Sequence, residues 1–176
     1  MDFYSIEHLR TGTVRQQNAY NVLNKHSVFY KLKEFSPILV GSIPINIDIK
    51  TSDLDIICCW KNKYQFASTL TMCFGHERGF ALSEKIIRNK EVIIARFSTN
   101  SFNIEIFGQD KPTYLQNGYL HMIIEHKILI EKGEDFRLQV IQLKEQGYKT
   151  EPAFAHLLNL SGDPYDELLK FKNYGE

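Results

Sequence analysis

Two rhythms of apolar and polar positions divide this chain. Val14, Ala19, Val22 and Leu23 form a helical stripe, and Thr11-Gly12-Thr13 offers a start, so a helix is expected over Thr13–Lys25. A shorter helix is expected over Ser27–Glu34. Ser36-Pro37 ends it, because the residue before a proline avoids helical angles. Ile38–Val40 has the composition of a short buried strand. Ile45, Ile47 and Ile49 alternate with Asn46, Asp48 and Lys50, the pattern of an edge strand or an extended loop. Asp53–Trp60 is predicted as the central strand and Tyr64–Phe74 as a helix. Phe80–Ile87 and Val92–Phe97 fit two strands joined at Asn89-Lys90. Phe102–Phe107 fits a further strand, entered through Thr99-Asn100-Ser101.

Beyond Gly108 the period changes to helical. Tyr114–Lys132 carries Leu115, Tyr119, Met122, Ile123 and Leu129, and a second helix is expected over Asp135–Gln146, stopped by Gly147. Thr150 can cap a helix running to Leu158, and Asp163-Pro164 pairs a capping residue with proline at the first helical position. The expected fold is α+β: a small mixed sheet with helices over residues 1–110, then a helical C-terminal subdomain over 111–176 packed on it.

Composition narrows the function classes. Twenty-one Lys and Arg balance twenty-one Asp and Glu, so bulk charge does not recommend a protein that coats nucleic acid. Of the three cysteines, Cys58 and Cys59 are adjacent and Cys73 stands apart, without zinc-ligand spacing. Free thiols in a reducing compartment are expected. No signal peptide is visible at Met1-Asp2-Phe3-Tyr4 and no apolar run is long enough for a membrane span, so a cytoplasmic location is expected.

The chemistry concentrates in Gly41-Ser42, a ten-residue gap, and Asp53-Leu54-Asp55. Strand side chains alternate, so Asp53 and Asp55 share one face while Leu54 and Ile56 share the other. Two desolvated carboxylates repel each other, and a hard divalent cation relieves that, preferring one or two carboxylates plus substrate phosphates.

Val40-Gly41-Ser42 followed by Asp53-Leu54-Asp55-Ile56 resembles the motif of the nucleotidyltransferase superfamily, the DNA polymerase beta-like fold. That family uses a third carboxylate on a later strand, and Asn103-Ile104-Glu105-Ile106-Phe107 offers Glu105, a longer side chain than the usual Asp. The resemblance implies that Asp53, Asp55 and Glu105 hold Mg²⁺ or Mn²⁺, with Glu105 helping to activate an acceptor hydroxyl. It implies that Gly41 admits a triphosphate to the backbone and that Ser42 grips a terminal phosphate. The donor would be an NTP, and the acceptor a small molecule, protein or RNA. The chain also resembles a small bacterial family of unknown function. It shares with that family the segments Lys149-Thr150-Glu151-Pro152-Ala153-Phe154 and Gly162-Asp163-Pro164-Tyr165.

Arg88, Lys90 and Arg96 on the hairpin, and Lys127 and Lys149 on the helical side, are the cations available to meet phosphates. Arg96 is expected to point into the cleft, and Lys149 stands just before a helix start where amides can bind an anion. Asp48 is expected to be a solvated loop carboxylate. His121 and Glu125, four apart, are expected to form a helix-surface pair. Trp60, Tyr114, Tyr119 and Tyr165 could stack a base, though packing suits each one alone. Alternatives on the same fold are a pyrophosphokinase or second-messenger synthase, an inactive nucleotide-binding module, and an interaction protein whose Asp pair is architectural.

Overall fold

A computed structural model describes residues 2–171. Helix α1 (Val14–Lys25) starts at a capping box: Thr13 accepts from the Gln16 amide while the Gln16 side chain accepts from the Thr13 N–H. The expected second helix is shorter than the pattern suggested, one turn of α-helix, α2 (Val28–Lys31), and a 3₁₀ turn over Lys33–Phe35. Strand β1 (Ile38–Val40) follows. The stretch Ile45–Lys50 takes the loop form of the two expected for it. Asn46 sits at φ 58°, and Ile45 and Ile47 are buried as loop anchors.

Strand β2 (Leu54–Cys59), helix α3 (Lys63–Phe74), and strands β3 (Ala81–Ile87), β4 (Lys90–Ser98) and β5 (Asn103–Gln109) complete the first part. Among the described residues these make one sheet in the order β1-β2-β5-β4-β3. Strand β2 runs parallel to β5, and the other pairings are antiparallel, so the sheet is mixed. Two further 3₁₀ segments, Glu7–Thr11 and Thr113–Leu115, left no periodic trace in the sequence.

The helical part comprises α4 (Asn117–Glu145), α5 (Thr150–Leu157) and α6 (Pro164–Lys170). Gly133, at φ 79° and ψ −167°, breaks α4 where the two expected helices were divided. Lys149, not Thr150, is the N-cap of α5, and no side chain caps that end. Asp163 caps α6 as expected, accepting from the Tyr165 and Asp166 amides.

Strand alternation sends the sheet's apolar residues into two layers. Leu39, Leu54, Ile56, Ala95, Phe97, Ile104 and Ile106 face α1 and α3. Ile38, Val40 and Ile57 face α4, with Phe154 of α5 and Leu168 of α6 in the same cluster. A fully buried side chain of this size contributes ~1.5–3 kcal/mol.

Gly108 of β5 leaves room for a side chain of α3: a Cβ there would lie 2.1 Å from the ring of Phe66, itself fully buried. Gly108→Ala is expected to lower stability by ~1–3 kcal/mol through overpacking. Urea unfolding checks this, and an unchanged midpoint would show that Phe66 can move aside.

Candidate functional site

One row across the sheet carries the chemistry. The register sets Val40 opposite Asp55, Asp55 opposite Glu105, and Glu105 opposite Arg96. All four side chains emerge on the α4 side. Asp53 lies one residue before β2, exposed, and its Oδ1 accepts from Asn103 Nδ2 at 3.2 Å. Burial pushes the Asp55 carboxyl up to about 7, with the charges of Glu105 and Asp53 adding to it. Gly41 turns the chain at φ 83°, and a Cβ there would meet Asp55 Oδ2 at 2.9 Å. The glycine therefore lets the backbone lie against the carboxylate, as well as supplying a conformation other residues avoid.

Arg96 does not reach into open cleft. Its Nε donates to Glu105 Oε2 at 2.6 Å and its Nη2 approaches the same oxygen. Among the described residues Glu105 Oε1 has no partner. Ser42 Oγ donates to Ser52 Oγ at 3.2 Å, which also accepts from the Ile49 N–H. Gly41, Ser42, Asp53, Asp55, Glu105 and Lys149 line one cleft of about 1160 Å³ between the sheet and the C-terminal helices. The structure thus brings these expected site residues to one space, with Arg96 at its edge, bound to Glu105.

Other cations are placed differently. Arg88, at the hairpin turn, reaches Asp166 of α6 at 3.2 Å across the mouth. Lys90 lines the cleft, while Lys127 is exposed on another surface of α4. Trp60 packs on Phe66, and Tyr119 on Tyr4. Tyr165 lines the cleft with its ring tilted on His121, whereas Tyr114 is half exposed outside it.

Two expectations are overturned. Asp48 is not a solvated loop carboxylate: its side chain is 9% exposed and lies 3.1 Å from Arg15 Nε. Arg15 Nη2 also donates to the Lys50 and Ser52 carbonyls, and its guanidinium covers the Phe102 ring. The loop between Ser42 and Asp53 is thereby clamped to α1, with Gln16 Nε2 donating to the Ile43 carbonyl. Nor are His121 and Glu125 on the helix surface. They are 6% and 2% exposed, because α5 and α6 cover the side of α4 that the periodicity left polar. His121 Nε2 lies 2.8 Å from the Tyr165 carbonyl and Nδ1 3.4 Å from Glu151. Burial works against its charge, but Glu151 and that carbonyl outweigh burial and hold the imidazole above its ordinary value. Lys144, which the sequence did not single out, is also buried in this wall.

The donor set suits a hard cation in part. Asp53 and Asp55 share a face, and a cation would offset both the burial that raises Asp55 and the repulsion that adds to it. Among the described residues no group of three or more His, Cys, Asp or Glu stands ready to hold a metal ion. Substrate phosphates would have to complete the coordination.

The family model for a domain of unknown function, DUF4269, matches residues 21–171. The chain belongs to the DUF4269 family. No curated protein matches it. Among solved structures, this DUF4269 chain is similar to Cid1 poly(U) polymerase in its MgGTP-bound form. The TM-score is 0.52 at 15% identity, covering 73% of this chain and 41% of the other. The Mg 3′-dATP form of Cid1 gives 0.54 at 14% identity over 89% and 48%. The polymerase core of TRAMP, an RNA surveillance complex, gives 0.51 at 12% over 90% and 49%. The DUF4269 chain spans less than half the length of these proteins. At such identities the likeness establishes the fold, that of the nucleotidyltransferases.

A carboxyl raised in the folded state binds protons that the unfolded chain has lost. Asp55 therefore costs stability as pH rises from about 4 to about 7, and the cost is complete above that. In metal-free buffer at pH 8, Asp55→Asn is expected to be more stable than the parent by on the order of 2 kcal/mol, with little difference near pH 4. Urea midpoints at both pH values check this. A destabilised variant at pH 8 would contradict the stated electrostatics.

Proposed function

We propose that this protein is a metal-dependent nucleotidyltransferase that moves a nucleoside monophosphate from an NTP to a hydroxyl acceptor. The observation that carries this is Asp55, raised by its burial and then by the charges of Glu105 and Asp53, against the left-handed Gly41 in the lining of the cleft. The nucleotidyltransferase fold supports it, as do the MgGTP-bound and Mg 3′-dATP-bound forms of Cid1.

In this proposal Asp53 and Asp55 hold Mg²⁺ or Mn²⁺, which offsets phosphate charge when bound. Ser42, with nearby amides, grips the terminal phosphates, and Lys149 meets the triphosphate from the helical side. The acceptor oxygen attacks the α-phosphorus, its proton is taken up, and the bond to the β-phosphate breaks to release pyrophosphate. Glu105 Oε1 accepts that proton or ligates metal, while Arg96 fixes Oε2. Residues 1–110 supply these carboxylates, and the helical subdomain from residue 111 supplies the opposite wall.

A second function has its own support. The Arg96–Glu105 ion pair, which engages one oxygen of the candidate base, suits a nucleotide-binding module without turnover. Binding of an NTP without pyrophosphate release, with Mn²⁺ present, would identify it.

The first test is a thermal-shift panel of parent and Asp53→Asn/Asp55→Asn, with Mg²⁺ or Mn²⁺ and each of the four NTPs. Ligand at ~100 times its dissociation constant adds about 2.7 kcal/mol. A metal-dependent rise is expected in the parent and not in the double variant. No rise in either would leave the carboxylate row architectural.

A further inference from the structure

The wall of the cleft opposite the sheet holds two buried groups of opposite charge that do not meet. Glu125 is 2% exposed, and its Oε1 has no hydrogen-bond partner. Lys144 is 6% exposed, and its ammonium has no hydrogen bond or ion pair among the described residues. Both line the cleft. A buried carboxyl and a buried ammonium left apart each carry the cost of lost water without the return of a direct contact. Neither makes a side-chain hydrogen bond or ion pair that ties the helices together. His121 already does that, joining α4 to Tyr165 and to Glu151.

A ligand entering between Glu125 and Lys144 must offer donors to the one and an acceptor to the other. Tyr165 adds a planar, half-exposed ring at the same wall, suited to stack a heterocycle. Guanine alone among the four bases presents two neighbouring donors, N1–H and the N2 amino group, beside the O6 acceptor. One carboxylate and one ammonium satisfy that edge completely. Uracil offers a single donor and would leave a carboxylate oxygen unpaired. Adenine and cytosine each offer one amino group beside ring acceptors that a carboxylate repels.

We propose that Glu125 and Lys144, with Tyr165 as the stacking face, form the nucleobase subsite of this cleft, and that its base is guanine. The proposal rests on the nucleotidyltransferase function above and names its donor. Burial pushes the Glu125 carboxyl up, with the Glu151 charge adding to it, and pushes Lys144 down. Two donors arriving at Glu125 and an acceptor at Lys144 would restore the charged form of each.

Calorimetry with Mn²⁺ tests this with GTP, ITP, ATP, CTP and UTP, on the parent chain and on Glu125→Gln. ITP keeps N1–H and O6 but lacks the amino group. In the parent, GTP is expected to bind about tenfold or more tighter than ATP, CTP and UTP, with ITP between. Glu125→Gln is expected to bring GTP down to the others, because an amide cannot accept from both donors. Equal affinities for all five nucleotides in the parent would overturn the guanine subsite alone, without calling on the variant. A GTP preference that survives Glu125→Gln would also overturn it. Failure of every nucleotide to bind would overturn the subsite and the nucleotidyltransferase function together.

Discussion

The parallel pairing of β2 with β5 is the constraint on which the rest depends, because it sets Asp55 directly opposite Glu105. Two carboxylates in register on a sheet repel, and the cation beside them, Arg96, engages Glu105 and not Asp55. What holds them there is the other face of the same strands. Leu54, Ile56, Ile104 and Ile106 are buried against α1 and α3. A one-residue slip would turn that apolar set toward the cleft and the carboxylates into the core. Hydrophobic burial on one face thus enforces electrostatic strain on the other. Arg96 answers part of it from β4, Asn103 engages Asp53, and the backbone at Gly41 stays clear of a Cβ so that Asp55 fits.

The loop from Ser42 to Asp53 must stay near this row, although it has no regular structure. Its position comes from α1. Gln16 uses one amide twice, accepting from the Thr13 N–H to start the helix and donating to the Ile43 carbonyl to hold the loop. Arg15 takes the Lys50 and Ser52 carbonyls and the Asp48 carboxylate from the neighbouring position. The start of α1 and the shape of the loop are consequently one event in folding energetics. The Ser42–Ser52 hydroxyl contact at the cleft depends on both.

What could be read from the sequence was what periodicity or local chemistry encodes. The strand Leu54–Cys59, the helix Lys63–Phe74, the hairpin and the Asp163-Pro164 start all follow from neighbours within a few residues. The motif also marked Gly41, Ser42, Asp53 and Asp55 as one set, although their convergence rests on the β1–β2 pairing and on the loop that α1 holds. Arg15 and Asp48 are more than thirty residues apart, and no spacing rule links them. His121, Glu125 and Lys144 were hidden for another reason. A helical stripe shows which side meets the first layer, and polar residues off that stripe are assigned to solvent. Here α5 and α6 form a further layer over α4, so polar positions became interior ones. Thr150 failed as a cap because the helix begins one residue earlier than its hydroxyl would require.

The cleft's two walls pose opposite electrostatic problems. On the sheet side, carboxylates crowd one another and call for positive charge. On the helical side, Glu125 and Lys144 are desolvated but apart, and call for a neutral partner with both donors and an acceptor. Replacing both by well-packed apolar residues is often neutral or stabilising where buried charges serve only the fold. A single occupant with an anionic end and a heterocyclic end answers both walls at once, and a metal-bound nucleoside triphosphate has that form. Lys144 feels the Coulomb attraction of Glu125, then of Asp48 and Glu151, and least that of Asp55 across the cleft, so its charge is tied to both walls. Filling one end therefore alters the field at the other, so base and phosphates are expected to bind as coupled halves of one ligand.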